Sequence, residues 1–300
     1  MNHVKKIEAK DSARLALETM FEGIEDSMVT AYLQGHMGAA YVASEEHPAA
    51  AVLISGEYSF WGGDSDSADA DVLIGRFFEL CESESSTGIY AVRDAIGEGA
   101  DVNGVAEDAY AEAIEDIGGG ASRRFQNNPA WERALLAHPE NHPVMVLRHR
   151  IAQKDYDFDP ALLRKYIDAL PPGFRIVRFD RELYGAAMSA DWSKEFCEGF
   201  GSAEDFLTRG FGFAVLKGDE FVSGISTQTV YDGGAEIQIA TREDFRRQGL
   251  ALPCAAAMIK ECAARGLRPC WDAANEASRR IALKLGYEYE GVYTTVHLSR

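Results

Sequence analysis

Up to about residue 143 the apolar positions form short, separate runs. Ala13, Leu15, Ala16, Met20 and Ile24 recur at near-helical spacing and predict a helix. Gly38–Ala43 and Ala51–Trp61 are β-branched, aromatic and small apolar runs that predict strands, with Gly62-Gly63-Asp64 as the turn ending the second. Ile89–Val92 predicts a further strand, residues 105–117 a helix broken by Gly118-Gly119-Gly120, and Trp131–Ala137 a short helix. Pro143–Arg148 predicts a strand near a boundary. Asp159 is placed to cap a helix with Pro160 in its first position, and Pro171-Pro172-Gly173 stops that helix after Leu170.

From Phe174 onward strands and helices alternate with clear punctuation. Strands are expected at 174–178, 211–216, 220–230, 235–241, 268–271 and 287–297. The turns Lys217-Gly218-Asp219 and Asp232-Gly233-Gly234 separate three of them. Helical pieces fill 181–207, a helix starts near Gln248 and runs to about Arg265, and another covers 276–285. The resulting order is β-α-α-β-β-β-α-β-α-β. The fold class read from this pattern is α/β with a mixed sheet. The expected domains are an acidic α/β domain at 1–143, a connection at 144–173 and a second domain at 174–300.

Composition narrows the function classes. A chain of 300 residues fits two domains, and 46% hydrophobic residues supply a sizeable core. No run approaches ~20 consecutive apolar residues, so no transmembrane helix is expected. The start, Met1 to Glu8, has basic residues but no apolar run after them, which makes the cytoplasm the expected compartment. The five cysteines form no CxxC pair and read as reduced thiols or core filler. Net charge is −18, and its distribution is uneven. Residues 1–143 carry 9 Lys and Arg against 26 Asp and Glu, a net of −17, while residues 144–300 carry 21 against 22. Such a field repels nucleic acid and anionic membranes and attracts cations. It serves solubility, or it helps draw in a cationic substrate.

The segment Glu236 to Ala251 runs from a strand through a short loop into an Ala-rich helix. Arg246, Arg247, Gln248, Gly249, Leu250 and Ala251 form that loop and first turn. Small residues let a polyanion approach the backbone, and the unpaired N–H groups at a helix start bind phosphate. Arg246 and Arg247 can add charge-assisted hydrogen bonds. A helix start with incidental arginines is the plainer account of the same residues.

The pattern Arg246-x-x-Gly249-x-Ala251 between strand and helix resembles the pyrophosphate-cradling motif of the Gcn5-related N-acetyltransferases. The element order from residue 174 is also that fold, and Ala282 to Tyr287 resembles the family's ending of its last helix. Leu216 through Val296, and Trp271 to Ser278 above all, is similar to the group that includes zwittermicin A resistance proteins. Those proteins pair a C-terminal acetyltransferase domain with an N-terminal degenerate copy. The resemblance implies acetyl-CoA as cosubstrate, no metal, and a small-molecule amine as acceptor, cationic in keeping with the acidic first half, such as an amine-bearing antibiotic or a polyamine. It implies that the strand at 236–241 splays from its parallel neighbour, so that backbone groups of Ile239 and Thr241 pair with the pantetheine arm. Asn275 would bond the end of that arm with Ser278 nearby, and Asn275 can cap a helix as well. Glu236 is the candidate base, its alternative being an exposed strand carboxylate. The family's acid is a Tyr at the place occupied here by Ala282, which leaves Tyr287, Tyr289 or solvent. Two other functions stay open: a protein or peptide N-acetyltransferase, and an acyl-CoA-binding sensor without turnover. Nothing in the sequence fixes an oligomeric state.

Other signals are weaker. Asp64, Asp66, Asp69 and Asp71 miss the calcium-loop spacing, with Ala68 and Asp69 where an oxygen ligand and Gly belong, and read as a solvated acidic loop. His138 and His142 are four apart, but Pro139 and Pro143 deny them a shared helical face. Cys254 and Cys262, and Trp192 and Phe196, read as core, although the first helices of the implied fold line its acceptor cleft.

Overall fold

The computed structural model describes residues 4–56, 58–84, 129–138 and 142–299. The strand expected at Ile89–Val92 and the helix expected at 105–117 lie outside the described residues.

In the first half, strands β1 (Lys5–Glu8), β2 (Ala39–Val42), β3 (Ala50–Ser55) and β4 (Tyr58–Gly63) form one antiparallel sheet in chain order. A 3₁₀ helix (Ser12–Met20) and α1 (Ser27–Leu33) cover one face, and α2 (Ala68–Glu84) and α3 (Pro129–Ala137) the other. β3 shows why its run is apolar throughout instead of alternating. Ala50, Val52 and Ile54 pack with Leu73, Phe77 and Trp131, while Ala51 and Leu53 pack with Leu17, Phe21, Val29 and Tyr32. A strand buried on both faces has no polar side.

Three expectations for this half need correction. Residues 51–61 are a hairpin and not one strand, because Gly56 turns the chain at φ +57° and Ser55 pairs with Tyr58. Gly62 and Gly63 lie inside β4 instead of ending it as a turn. A Cβ on Gly62 would stand 2.4 Å from the Met20 carbonyl oxygen, so the strand needs glycine there to pass the 3₁₀ helix. The acidic stretch at 64–71 is partly helix. Asp69 and Asp71 sit in the first turn of α2, where negative charge is favoured, and Asp69 accepts the Ala49 N–H at 2.9 Å.

The second half follows the expected order closely. It comprises β5 (His142–Ile151), α4 (Pro160–Asp168), β6 (Phe174–Arg178), α5 (Arg181–Met188), α6 (Ala203–Arg209), β7 (Gly212–Lys217), β8 (Glu220–Tyr231), β9 (Gly234–Thr241), α7 (Ala251–Arg265), β10 (Arg268–Cys270), β11 (Asp272–Ala273), α8 (Glu276–Leu285) and β12 (Tyr289–Ser299). Asp159 caps α4 by accepting the Ala161 N–H. α7 begins at Ala251, three residues beyond the expected Gln248. Its apolar face, with Cys254 and Cys262, packs on Ile225 and Ile237 of the sheet. Trp192 and Phe196 stack around Phe221 in an aromatic cluster.

The main sheet runs β10-β9-β8-β7-β6, antiparallel except for the parallel pair β9 and β10. A second sheet runs β11-β5-β12, so residues 144–151 of the expected connection are the middle strand of a sheet. His138 and His142, after α3 and at the start of β5, share no helix. Ala31 and Met37 of the first half enter the core that holds Phe179, Phe196 and Phe206. Polar bonds accompany this contact: Asp232 N–H donates to Gln34 Oε1 at 2.7 Å, and Arg209 Nη1 to the His36 carbonyl at 3.1 Å.

Candidate active site

β9 is the spine of the site. Arg242 N–H donates to the Val222 carbonyl at 3.0 Å, which fixes the hydrogen-bonding parity between β8 and β9. Residues 223/241 and 225/239 are then the non-bonded pairs, so the N–H and C=O groups of Ile239 and Thr241 point away from β8. On that side β10 pairs with β9 only as far as Cys270 opposite Glu236. The chain then leaves to pair with β5 through Asp272 and Ala273. The two parallel strands therefore splay, and Ile239 and Thr241 face an open gap. The Thr241 carbonyl accepts one bond there, from Arg246 Nε at 3.3 Å.

Below the gap the loop Arg246–Leu250 leads into α7. Arg247 has φ +62° and Gly249 φ +78°. A non-glycine residue held in the left-handed region costs roughly 1–2 kcal/mol, so the loop shape is imposed by its surroundings. None of the N–H groups of Arg247, Gln248, Gly249 and Leu250 has a backbone acceptor among the described residues, and no side chain caps the helix. Unspent donors at the positive end of a 15-residue helix form an anion seat. Nothing lies within 4 Å of a Cβ built on Gly249, so the space in front of the loop is open. Asn275 caps α8, its Oδ1 accepting the Ser278 N–H at 3.0 Å, which leaves its amide donors available. Ser278 Oγ accepts from Trp271 Nε1 at 3.0 Å and so serves to fix the indole.

On the face of β9 away from α7 lies a cavity of about 650 Å³. The first half, β5, β9 and β12 all line it. Glu236 is 8% exposed and enters this cavity, so the exposed-carboxylate alternative does not hold. Its Oε1 accepts the Asp272 N–H at 3.1 Å, and its Oε2 meets Ser27 Oγ at 2.8 Å. Each oxygen thus accepts one hydrogen bond, and both bonds favour the ionised carboxylate. Burial pushes the Glu236 pKa up to about 8, with repulsion from Asp272 and then Asp26 adding to it. Asp26, the N-cap of α1, is raised to about 6, again chiefly by burial. Asp272 is held on its other side by Arg148 at 2.7 Å and by the Tyr293 hydroxyl, which donates to Oδ2 at 2.7 Å.

The structure thus gathers Glu236, Ile239, Thr241 and Arg246–Ala251 along one strand-loop-helix path. The remaining acid candidates do not join them. The Tyr287 hydroxyl donates to the Pro269 carbonyl at 2.9 Å, buried against Tyr156, Phe158 and Trp271. Tyr289 sits with His149 and Arg279 outside the cavity lining. Sequence reasoning missed Asp26, Ser27, Arg148, Asp272 and Tyr293. Asp26 does carry a local signal, that of a helix cap before an apolar run. Nothing local points to Glu236, 209 residues from Ser27.

A family model described as GNAT acetyltransferase matches residues 18–296, through both halves. An uncharacterized N-acetyltransferase of Bacillus subtilis (strain 168), YdfB, is 32% identical over 175 residues, 57% of this chain. The match spans 63% of that relative's length. The crystal structure of a GCN5-related N-acetyltransferase-like protein from Streptococcus suis 89/1591 superposes with a TM-score of 0.70 at 27% identity, covering 96% of this chain and 98% of that one. A tandem GNAT protein from the clavulanic acid biosynthesis pathway superposes with a TM-score of 0.50 at 13% identity over 98% of this chain and 99% of its own, a likeness of fold alone. Among the described residues no helix is long and apolar enough to cross a membrane.

Proposed function

We propose a function from one premise: this chain belongs to the GNAT acetyltransferase family. It transfers an acetyl group from acetyl-CoA to a primary amine of a cationic small molecule, with Glu236 as the base. Acetyl-CoA supplies the acetyl thioester. The observation that carries the reading is the buried Glu236 carboxyl at the bottom of a cavity that adjoins the splayed edge of β9.

The residues present fit the donor. The unspent N–H groups of the Arg247–Leu250 loop, with Arg246 and Arg247, suit a pyrophosphate. The outward backbone groups of Ile239 and Thr241 suit an extended amide arm, which would add to β9 as a strand does. The free amide donors of Asn275 would bond the far end of that arm. Glu236 takes the proton of the acceptor ammonium, directly or through water, and Ser27 and the Asp272 N–H hold its carboxyl in place. As the amine nitrogen bonds the acetyl carbon, the carbon–sulfur bond would break and the leaving thiolate would take its proton from solvent, because Tyr287 stays on its carbonyl.

A cavity of about 650 Å³ is of the size that encloses a small ligand and favours that acceptor over a protein chain. The carboxylates Asp26, Glu236 and Asp272, the acidic first half and the resemblance of residues 271–278 to the zwittermicin A resistance group all support a cationic one.

Thiol release from acetyl-CoA in the presence of a panel of amines tests the reading. Turnover with at least one cationic amine is expected, and CoA binding without turnover on any of them would leave a sensor. Gly249→Glu places a negative charge in front of the loop, in open space where the fold can accommodate it. CoA affinity should fall at least tenfold, about 1.4 kcal/mol, by calorimetry. Parental affinity in that variant would remove the loop from the site.

A further inference from the structure

We propose that the acceptor carries a second cationic group, and that Asp26 of the first half seats it while the amine to be acetylated lies at Glu236. The inference rests on the reading above that the cavity is the acceptor site, and it adds which groups of the acceptor the cavity receives.

Asp26 and Glu236 reach the cavity from the two halves of the chain. Ser27, the next residue after Asp26, bonds Glu236 at 2.8 Å, so the two carboxyls are neighbours along one wall. Their partners differ. Glu236 has both oxygens engaged, by the Ser27 hydroxyl and the Asp272 N–H. Asp26 accepts the Met28 N–H at 2.8 Å through Oδ1, and no side-chain donor reaches it among the described residues. The cations lining the cavity have partners of their own. Arg148 is held by Asp272 at 2.7 Å, Arg268 by Asp155 at 2.8 Å, and Arg150 lies over the Tyr293 ring at 4.5 Å. Asp26 therefore faces the cavity with no protein cation bonded to it among the described residues, although Arg150 acts on its charge from further away. Asp26 ionises above about 6 and Glu236 above about 8, so both carboxyls carry their charge only on the alkaline side of neutrality, where Glu236 is also competent as a base. Burial in a cavity strengthens attraction for a cation well beyond its value at an open surface.

Among the described residues no group of three His, Cys, Asp or Glu side chains is placed to hold a metal ion. Two carboxyls on one wall suit two ammonium groups on one flexible chain.

The test compares diaminoalkanes of three to eight carbons with monoamines of matching length by calorimetry above pH 8, where both carboxyls are ionised, on the full chain saturated with CoA. Asp26→Asn removes the charge and keeps an equally good helix cap, so α1 should stay intact. The unmodified protein should bind the best diamine at least tenfold more tightly than its monoamine. In Asp26→Asn that preference should shrink below threefold, while the monoamine still binds. Equal affinities in the unmodified protein, a preference that survives the substitution, or no binding of any diamine each overturns the proposal. Binding is read without turnover. Diamine preference in a protein that acetylates none of these amines would sink the transferase reading and leave the Asp26 seat standing.

Discussion

Glu236 owes its raised pKa first to burial and then to the negative neighbours Asp272 and Asp26, while the Ser27 hydroxyl pulls it the other way. Each influence predicts a shift of known sign. A base must be ionised, so kcat/KM should climb with pH and level off above about 8. Ser27→Ala removes a hydrogen bond that favours the carboxylate, so the climb should move to higher pH. An unmoved profile would show that Ser27 does not act on Glu236. Glu236→Gln keeps both hydrogen-bonding positions filled and should lower kcat by about 10²-fold or more. It should also change how stability depends on pH. Between the ordinary value of 4.5 and about 8 the folded chain holds a proton that the unfolded chain has released. Stability is then lost as pH rises through that window, by roughly 1.4 kcal/mol per pH unit from this group. Urea midpoints of the Gln variant should lack that part of the slope, and identical slopes would place the Glu236 carboxyl near its ordinary pKa.

Two glycines show how elements impose or relax constraints. Gly62 in β4 has the Met20 carbonyl oxygen 2.4 Å from where a Cβ would stand, and backbone cannot step aside as a side chain can. Gly62→Ala should therefore destabilise the first half by about 2 kcal/mol or more. Gly75 in α2 is exposed and has nothing within 4 Å, so Gly75→Ala should stabilise by about 0.5–1 kcal/mol through helix propensity alone. Denaturant unfolding measures both, and a shared sign would contradict this packing of β4 and α2. The same contrast explains what the sequence made legible. From residue 174 each strand carries its own apolar run and each turn its own Gly or Asp, so the order of elements can be read locally. The candidate anion loop is legible too, since Arg246, Gly249 and Ala251 lie within six successive residues. The hairpin at Gly56 is marked only by Ser55-Gly56-Glu57, and the apolar residues on either side, buried on both faces in β3 and nearly so in β4, read as one long strand. The wall of the cavity is illegible for a different reason. Ser27, Arg148 and Tyr293 acquire their roles only from partners far away in the chain, with Arg148 and Asp272 separated by 124 residues.

At the scale of the molecule the halves share a core and are joined by the Ser27–Glu236 hydrogen bond, which argues for one cooperative unit. Its four tryptophans divide evenly: Trp61 and Trp131 lie in the first half, Trp192 and Trp271 in the second. Variants retaining only Trp61 or only Trp271 should report the same thermal midpoint, and midpoints several degrees apart would show that the halves melt independently. The pairing of β5 with β12 also dictates the timing of assembly during synthesis. His149 and Tyr289 meet across this sheet but are 140 residues apart. At roughly 5–20 residues per second, the ribosome delivers β12 about 7–28 seconds after β5. Until then the edge of β5 that β12 covers stays open along its length, and the Tyr293 end of the Asp272 anchor does not exist. A nascent chain can thus complete the sheet of its first half, and even the loop at α7, while its acceptor chamber still lacks a wall. Activity is then the last property the growing chain acquires, and the interval before it is when β5 is exposed to chaperones or to mispairing with another chain.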